Sequence, residues 1–477
     1  MLTPEEFSLI YQQGEEATYA FFRELFDKVT RVEERVHTLE VQKNKNSTNS
    51  SKPPSTDAFR KPLPNLRKKT GRKSGGQTGS PGKTLQMRTE CDVTLVHSPE
   101  DCSHCGASLQ NTPACQTDQA QVHDLPPQKL VVTAHLRQHK CCPRCKHQTV
   151  AAFPEGVRAG AQYGPRFKAL AVYLQYGQLL PFDRTAQLFA EVFDAPVSEG
   201  SLLTFLQEAA QTLVPVEQEI TTQLLTQPVL HFDETGMRVG TKLQWVHVTA
   251  TDRLTFYAPH ARRGREALDA IGILPQFGGT ALHDCFGTYF GYDVRHGLCN
   301  VHLCRELKGL WEACPQPWIR RLLRFLFGLK QRRERVLAAG GTGFSPEALA
   351  GFERVYLRLL ALGAAQNPAR PASGKRGKTK QSVGYNLLKR LSDHRSSVLR
   401  FAWDFGVPFS NNQAERDIRM VKLRQKVSGC FRSAEGAAMF CRVRGFVSTL
   451  RKQGQPLLSA LGRVFSTPND LISLLAE

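Results

Sequence analysis

The stretch Pro228-Val-Leu-His-Phe-Asp-Glu-Thr235 is a short apolar run that ends in acidic residues, which predicts a buried β-strand. Two further strand patterns follow, at 243–249 with a period of two and at 254–257. A helical stretch from about Arg265 to Ile271 comes next, and another apolar run ends at Asp284. The pattern is therefore three strands, a helix and a fourth strand, with an acid at the end of the first and of the fourth.

This order of elements is typical of an RNase H-like α/β core. In that fold the first and fourth strands lie side by side, so acids at their ends face a common cleft. Asp233 and Asp284 are the residues that this order brings together. Glu234 competes with Asp233, because consecutive strand residues face opposite ways and only one can point into the site.

A third acid lies in Ser-Asn-Asn-Gln-Ala-Glu-Arg-Asp-Ile-Arg at 410–419. Each acid alone is more simply explained as a turn or a helix-start residue. In the order strand-Asp233, strand-Asp284, helix-Glu415, they instead favour a site for a pair of divalent cations. That is the chemistry that cuts and rejoins phosphodiesters.

The helix that begins near Asn412 has a mixed polar face. Asn412, Glu415, Arg419 and Lys422 are spaced to share one side. Glu415 could bind metal while Arg419 and Lys422 reach phosphates, with Asn411 or Asn412 capping the helix. The simpler alternative is an ordinary charged face in solvent.

The composition indicates a polyanionic partner. The chain of 477 residues, long enough for two or three domains, carries 63 basic and 43 acidic side chains, a net charge of +20. This charge favours nucleic acid or an anionic membrane surface. The sequence has neither an apolar run of about 18 residues nor a signal-peptide pattern, which predicts a cytosolic protein. Its thirteen cysteines are then expected to be thiols or metal ligands.

Two cysteine pairs predict a structural zinc ribbon. Cys102-x-x-Cys105 and Cys142-x-x-Cys145 are separated by 36 residues, including a strand-like stretch from Leu130 to Leu136. Four thiolates on two short knuckles suit tetrahedral Zn²⁺, and Gly106, directly after Cys105, occupies a position where tight turns often need positive φ. The alternatives are reduced buried cysteines, or a fourth ligand taken from the nearby side chains Cys141, His104, His139 and His147.

The N-terminal 90 residues divide into a helix and a basic arm. Apolar residues spaced three and four apart predict either a short oligomerisation coil or an amphipathic helix: Phe22, Leu25, Val29, Val32, Val36 and Leu39. Residues 41–90 are polar and predict disorder. Their basic cluster favours a nucleic-acid contact over a plain linker: Arg67, Lys68, Lys69, Arg72 and Lys73.

Three other segments are less decisive. Residues 160–225 predict helices with a break at 196–201, for which plain packing is favoured over a DNA-reading helix-turn-helix. Residues 305–400 predict a basic helical insertion that could cover bound DNA ends. Cys299-Asn-Val-His302 is equally well a buried cysteine with a helix-start histidine or a functional pair.

From about 90 to 470 the chain resembles the transposases of the bacterial insertion-sequence 66 family. The match rests on Asp233-Glu234-Thr235, on Asp284 with Gly287 and Tyr289, and on Asn411–Arg416. The knuckle block and the tail from Lys422 to Ala437 also resemble that family. The N-terminal segment resembles one branch only, so recognition of terminal repeats does not transfer.

The resemblance implies a DNA transposase. Asp233, Asp284 and Glu415 would be a DDE triad that holds two Mg²⁺ ions, nicks element ends and transfers strands into target DNA. Implied partners are double-stranded DNA, further copies of the chain and helper proteins, in a bacterial, nucleoid-associated setting. The residues predicted to contact DNA besides the arm are Arg416, Arg419, Lys422 and Lys426. The alternatives are a non-catalytic zinc-containing DNA-binding protein and an RNase H-like structure-specific nuclease.

The predicted organisation is a multidomain α/β plus α chain. Its parts are a helix at 1–40, the basic arm at 41–90, a zinc ribbon at 91–155, a helical domain at 156–225, the RNase H-like core at 226–304 and 406–477, and a helical insertion at 305–405.

Overall fold

The structure is a computed structural model that describes residues 4–46, 49–50, 85–126, 128–158, 160–371 and 379–475. It divides into two compact units, residues 60–131 and residues 1–59 with 132–477. The basic cluster Arg67, Lys68, Lys69, Arg72 and Lys73 lies outside the described residues. Its contact with DNA therefore stays a prediction.

Two helices begin the chain, α1 (Pro4–Gln12) and α2 (Glu15–Asn44). This confirms the predicted N-terminal helix. The apolar residues of the predicted coil are exposed along α2, between 41% at Phe22 and 61% at Val32. The oligomerisation coil itself stays a prediction.

A short antiparallel hairpin surrounds the second cysteine knuckle. Its strands are β1 (His139–Cys141) and β2 (Gln148–Val150), with Lys140 opposite Thr149. The strand predicted from Leu130 to Leu136 is wrong, because that stretch forms no strand in the structure. A strand needs a hydrogen-bonded neighbour, and the described residues give this stretch none.

Four α-helices lie between the hairpin and the main sheet: α3 (Pro165–Val172), α4 (Phe182–Phe193), α5 (Glu199–Thr212) and α6 (Val214–Leu225). The Ser198 hydroxyl accepts the Ser201 N–H at 3.0 Å and thereby caps α5. Leu202 and Leu206 of α5 are fully buried in the main core. The helices on either side of the break at 196–201 thus pack into the core, which is the interpretation that the sequence favours.

The main sheet has five strands: β3 (Val229–Val239), β4 (Lys242–Ala250), β5 (Thr255–His260), β6 (Thr280–His283) and β7 (Arg295–Leu298). Helices α7 (Arg265–Ile271) and α8 (Ile273–Gln276) connect β5 to β6. The spatial order is β5-β4-β3-β6-β7. The existence of the four predicted strands, the helix over 265–271 and the pairing of the first strand with the fourth are confirmed, whereas the first strand extends to Val239, beyond its predicted acidic end.

The register of β3 and β6 explains why two distant acids meet. These strands are parallel, with Val229 opposite Thr280 and His231 opposite Leu282. Asp233 lies two residues beyond His231, and Asp284 lies two residues beyond Leu282. This register brings the two acids side by side at the carboxyl end of β6. The prediction that the first strand ends at Asp233 is wrong, because β3 pairs with β4 as far as Val239.

A second core lies among five helices: α9 (Asn300–Ala313), α10 (Pro317–Ala338), α11 (Pro346–Gln366), α12 (Val383–Asp393) and α13 (Arg395–Trp403). Trp318, Tyr356 and Phe401 are fully buried in it. The basic side chains predicted to cover DNA are exposed on α10: Arg320, Arg321, Arg324 and Arg332. Helices therefore fill the stretch in which an insertion is predicted.

Three helices complete the fold: α14 (Asn412–Ser428), α15 (Ala434–Lys452) and α16 (Leu457–Ser466). The Thr449 hydroxyl accepts the Thr255 N–H at 3.0 Å, which joins α15 to β5. A mostly buried ion pair between Lys452 and Asp417 at 2.7 Å joins α15 to α14. Among the described residues, none of the helices is both long and apolar enough to cross a membrane.

Candidate active site

The two strand acids present carboxylates that are each fixed through one oxygen. Asp233 Oδ1 accepts the N–H of Glu234 at 2.9 Å. Asp284 Oδ1 accepts the N–H of Phe286 at 2.9 Å. These local bonds orient both carboxylates, and each can still offer oxygen lone pairs to a cation.

The third predicted acid reaches this edge of the sheet from the first turn of α14. Glu415 is mostly buried, with 13% of its side chain exposed. Its Oε1 lies 3.9 Å from the Sγ of Cys299, just before α9, and 3.7 Å from Nδ1 of His302 in the first turn of α9. Glu415 therefore lies between the strand acids and the start of the helical insertion.

Asn411 fixes the start of α14 against β3. Its Nδ2 donates to the carbonyl of Phe232 at 2.7 Å. Its Oδ1 lies 2.8 Å from Nδ1 of His231, and since an amide oxygen only accepts, Nδ1 of His231 is the protonated nitrogen. Asn411 is the N-cap residue of α14, one of the two predicted positions, but its side chain makes no capping bond because it bonds the strand instead. Asn412 is the exposed first residue of α14.

Strand register and the Asn411 attachment bring four acids into one region of the fold. Burial raises the pKa of Asp233 well above its usual range, and the negative charges of Glu234, Asp284 and Glu415 raise it further. Asp233, Asp284 and Glu415 are thus neighbours with Glu234 beside them, although ligand atoms of these three acids do not all lie within 4.8 Å of one another. Such a group is hard to ionise completely unless a cation joins it.

Glu234 differs from its neighbours because it already has partners. Arg263 donates to its Oε1 from Nη2 at 2.7 Å and from Nε at 2.9 Å. The hydroxyl of Tyr289 donates to its Oε2 at 2.6 Å. Burial and the charge of Asp284 raise the pKa of Glu234, whereas Tyr289 and Arg263 oppose that rise. Both oxygens of Glu234 are engaged, so Asp233 is the freer ligand.

Sequence reasoning gave Arg263 no role. Its guanidinium pairs with Glu234 and lies over the ring of Phe286, with 4.1 Å between the guanidinium carbon and the ring centroid. No local sequence pattern marks Arg263, because its partner Glu234 lies 29 positions earlier, on β3. Only the tertiary pairing of β3 with the segment after β5 reveals it.

The cations predicted on α14 divide into two groups. Arg416, Arg419 and Lys426 are exposed, and Arg416 donates to Gln413 Oε1 at 2.6 Å. Lys422 is half-buried and donates to the carbonyl of Gly236 on β3. Burial lowers the pKa of Lys422. The exposed side chains are available to phosphates, whereas Lys422 attaches the helix to the sheet.

The two cysteine knuckles have the same local geometry, each described within its own unit. In the first, Gly106 N–H bonds the carbonyl of Cys102 at 2.9 Å, and φ of Gly106 is +76°. In the second, Lys146 N–H bonds the carbonyl of Cys142 at 2.9 Å, and φ of Lys146 is +61°. Backbone N–H groups lower the pKa of the Cys102 thiol, and the N–H of Cys105 has the largest effect. They also lower the pKa of the Cys142 thiol, where the N–H of Cys145 has the largest effect. The predicted positive φ at Gly106 is confirmed.

Replacement of Asn411 tests the attachment of α14. Asn411→Ala removes two buried hydrogen bonds and leaves His231 and the Phe232 carbonyl without partners, so we expect a loss of about 2–4 kcal/mol in unfolding free energy. The matched control Asn412→Ala changes an exposed neighbour and should cost far less. Urea unfolding measures both, and equal losses would contradict the assigned role of Asn411.

Replacement of Asp233 tests the charge repulsion in the site. The folded-state pKa of Asp233 lies above the unfolded value, so its ionisation costs stability as pH rises through that interval. Asp233→Asn should therefore raise the melting temperature of metal-free protein at pH 8, and the gain should shrink as pH falls, because the native carboxyl is then protonated. Asp293→Asn, at an exposed position, is the control. A variant less stable than the native protein at pH 8 would contradict the account.

Comparison with known proteins places these features in a family. Residues 4–86 match a family of unknown function (DUF6444). None of the curated proteins matches the chain. Residues 160–439, more than half of the chain and including β3, β6 and the start of α14, match the model of the Transposase IS66 family. The chain belongs to the Transposase IS66 family.

Proposed function

We propose that this protein cuts DNA at the ends of a mobile element and joins the freed 3′-hydroxyl ends to target DNA. Asp233, Asp284 and Glu415 are the proposed DDE triad. Family membership indicates DNA transposition. The observation that carries the finer proposal is the parallel register of β3 and β6, which puts Asp233 beside Asp284, together with the Asn411 bond that holds the start of α14, and so Glu415, against β3.

The donor set fits Mg²⁺. All three proposed ligands offer carboxylate oxygens, which Mg²⁺ prefers over nitrogen or sulfur. Arg263 compensates the charge of Glu234, whereas the contacts of the described residues give Asp233 no cationic partner of this kind. Two Mg²⁺ ions held there, when bound, would stabilise the attacking and leaving oxygens of phosphoryl transfer.

The chain's own residues hold and orient the reacting groups. Asp233 and Asp284 are fixed by strand register, and Glu415 is fixed by the Asn411 attachment. The exposed Arg416, Arg419 and Lys426 on the same helix are proposed to bind DNA phosphates beside the acids. We therefore propose that chemistry takes place at the start of α14 and that DNA binds along its exposed side.

The sheet topology supports an RNase H-like core. Three antiparallel strands precede two parallel ones, in the order β5-β4-β3-β6-β7. The expected neighbours, the first and fourth strands, are paired. The long helical segment between β7 and α14 then corresponds to an insertion into that core.

A structural Zn²⁺ ion is proposed for Cys102, Cys105, Cys142 and Cys145. The support is the repeated knuckle geometry and the backbone N–H groups that favour the thiolate form of Cys102 and Cys142. Four thiolates close a tetrahedral site, so this ion would stabilise the fold without taking part in chemistry.

The proposed partners are double-stranded DNA, as element ends and as target, and further copies of the chain on those ends. The exposed apolar row on α2 supports self-association. Helper proteins of the same element are a further proposal. DNA as the substrate implies a nucleoid-associated protein in a bacterial cytoplasm.

Cleavage and joining of labelled DNA that carries the ends of the protein's own element tests this function. With Mg²⁺ we expect nicks and joined products, and we expect Asp284→Asn and Glu415→Gln to lower both by at least about 10²-fold, because the charge stabilisation is lost. DNA binding should persist, since the exposed cations remain. Glu435→Gln is a matched control, because Glu435 is an acid in the first turn of the next helix, α15.

Three outcomes would contradict the proposal. Cleavage retained in the triad variants would remove the assignment of these residues. Cutting without joining would favour a structure-specific nuclease. Binding without cleavage, even after addition of the proteins encoded beside the element, would favour a non-catalytic DNA-binding protein.

A further inference from the structure

A second set of metal-ligating side chains surrounds Glu415 on its α9 side. Donor atoms of Cys299, His302 and Glu415 all lie within 4.8 Å of one another. We infer that Cys299 Sγ, His302 Nδ1 and Glu415 Oε1 bind a borderline-soft divalent cation of the Zn²⁺ class. This site is distinct from the carboxylate site proposed for Mg²⁺, although the two share Glu415.

The distances are close to those of a coordinated ion. Sγ of Cys299 lies 3.9 Å and Nδ1 of His302 lies 3.7 Å from Oε1 of Glu415. Metal–ligand bonds of about 2.0–2.3 Å at tetrahedral angles put donor atoms roughly 3.3–3.6 Å apart. A contraction of a few tenths of an ångström, within reach of side-chain rotation, therefore completes the geometry.

His302 provides independent support. Its Nδ1 is buried and has no hydrogen-bond partner among the described residues. A buried polar atom left unpaired costs about 1–3 kcal/mol, so such atoms are usually satisfied. A cation between the three donors would satisfy this nitrogen, whereas the arrangement without one leaves it facing a carboxylate at 3.7 Å.

The sulfur is held in place beside Glu415 by a backbone hydrogen bond. The backbone N–H of Asn411 donates to Sγ of Cys299 at 3.2 Å, which fixes the sulfur against the start of α14. The thiol of Cys299 points at Glu415 Oε1. When the cation binds, it replaces the thiol proton of Cys299, and that proton passes to solvent.

The donor types select the ion. One thiolate, one imidazole and one carboxylate form a set that Zn²⁺ and Co²⁺ accept readily, whereas Mg²⁺ prefers oxygen ligands alone. Three protein ligands leave the fourth tetrahedral position for water. The sequence motif Cys299-Asn-Val-His302 supplies two ligands, and the fold supplies the third from a residue more than a hundred positions later.

Occupancy of this site has a consequence that rests on the proposed function. Zn²⁺ would engage Oε1 of Glu415 and add positive charge beside the Mg²⁺ ligands, and like charges repel. Zn²⁺ should therefore raise the Mg²⁺ concentration needed for DNA cleavage. The binding site itself does not depend on that function.

Titration of the full-length protein with Co²⁺ tests the site. We expect the spectrum of the native protein minus that of Cys299→Ser to show a near-ultraviolet sulfur-to-cobalt band. Bound metal, measured by elemental analysis, should fall by about one ion per chain in both Cys299→Ser and His302→Gln. Cys142→Ser removes a ligand of the proposed zinc ribbon and serves as the control. Because the two sites share no ligand, its loss of metal should add to that of His302→Gln in the double variant.

Identical spectra and metal content in the native protein, Cys299→Ser and His302→Gln would overturn the inference. If Cys299→Ser fails to fold, His302→Gln decides alone, since His302 is only partly buried. Asp284→Asn separates this test from that of the catalytic proposal. It should retain the cobalt band whether or not it cleaves DNA.

Discussion

The hydrogen bonds of Asn411 hold together two distant parts of the chain, the first strand of the main sheet and the start of α14. They join the first turn of α14 to Phe232, the residue before Asp233, across 179 positions of sequence. The five helices between these points form a core of their own. After them, the chain comes back to the start of α9, where the Asn300 N–H bonds the Phe409 carbonyl at 3.0 Å. The position of Glu415 depends on these contacts, because α14 and β3 are far apart in the chain.

The site gathers more negative charge than a metal-free fold would favour. Desolvation and three neighbouring acids oppose ionisation of Asp233, and a structural role would be served better by neutral side chains. Arg263 and Tyr289 stabilise Glu234 alone, so the remaining repulsion persists where Asp233 of β3 lies beside the carboxyl end of β6. Strongly perturbed acids in one cleft are typical of functional sites. A cation that neutralises them would add stability when it binds.

Local patterns predicted much of this fold. The apolar runs and the helix at 265–271 follow from periodicity, and the pairing of β3 with β6 follows from the order of elements. What failed depended on tertiary partners. The first strand continues beyond Asp233 because β4 pairs with it as far as Val239. The stretch from Leu130 to Leu136 has strand-like composition but no hydrogen-bonded strand beside it among the described residues, and the Asn411 side chain bonds a strand instead of its own helix. The partners of Glu234 and the contact of His302 with Glu415 lie far apart in sequence, so no spacing could predict them.

The central claim is that Asp233, Asp284 and Glu415 share bound metal. Crystals soaked in Mn²⁺, an oxygen-preferring ion that gives an anomalous signal, test it most directly. The account predicts anomalous peaks within bonding distance of carboxylate oxygens of all three residues, with Glu234 still paired to Arg263. Peaks coordinated by Glu234 in place of Asp233, or a Glu415 carboxylate that ligates no Mn²⁺, would contradict it.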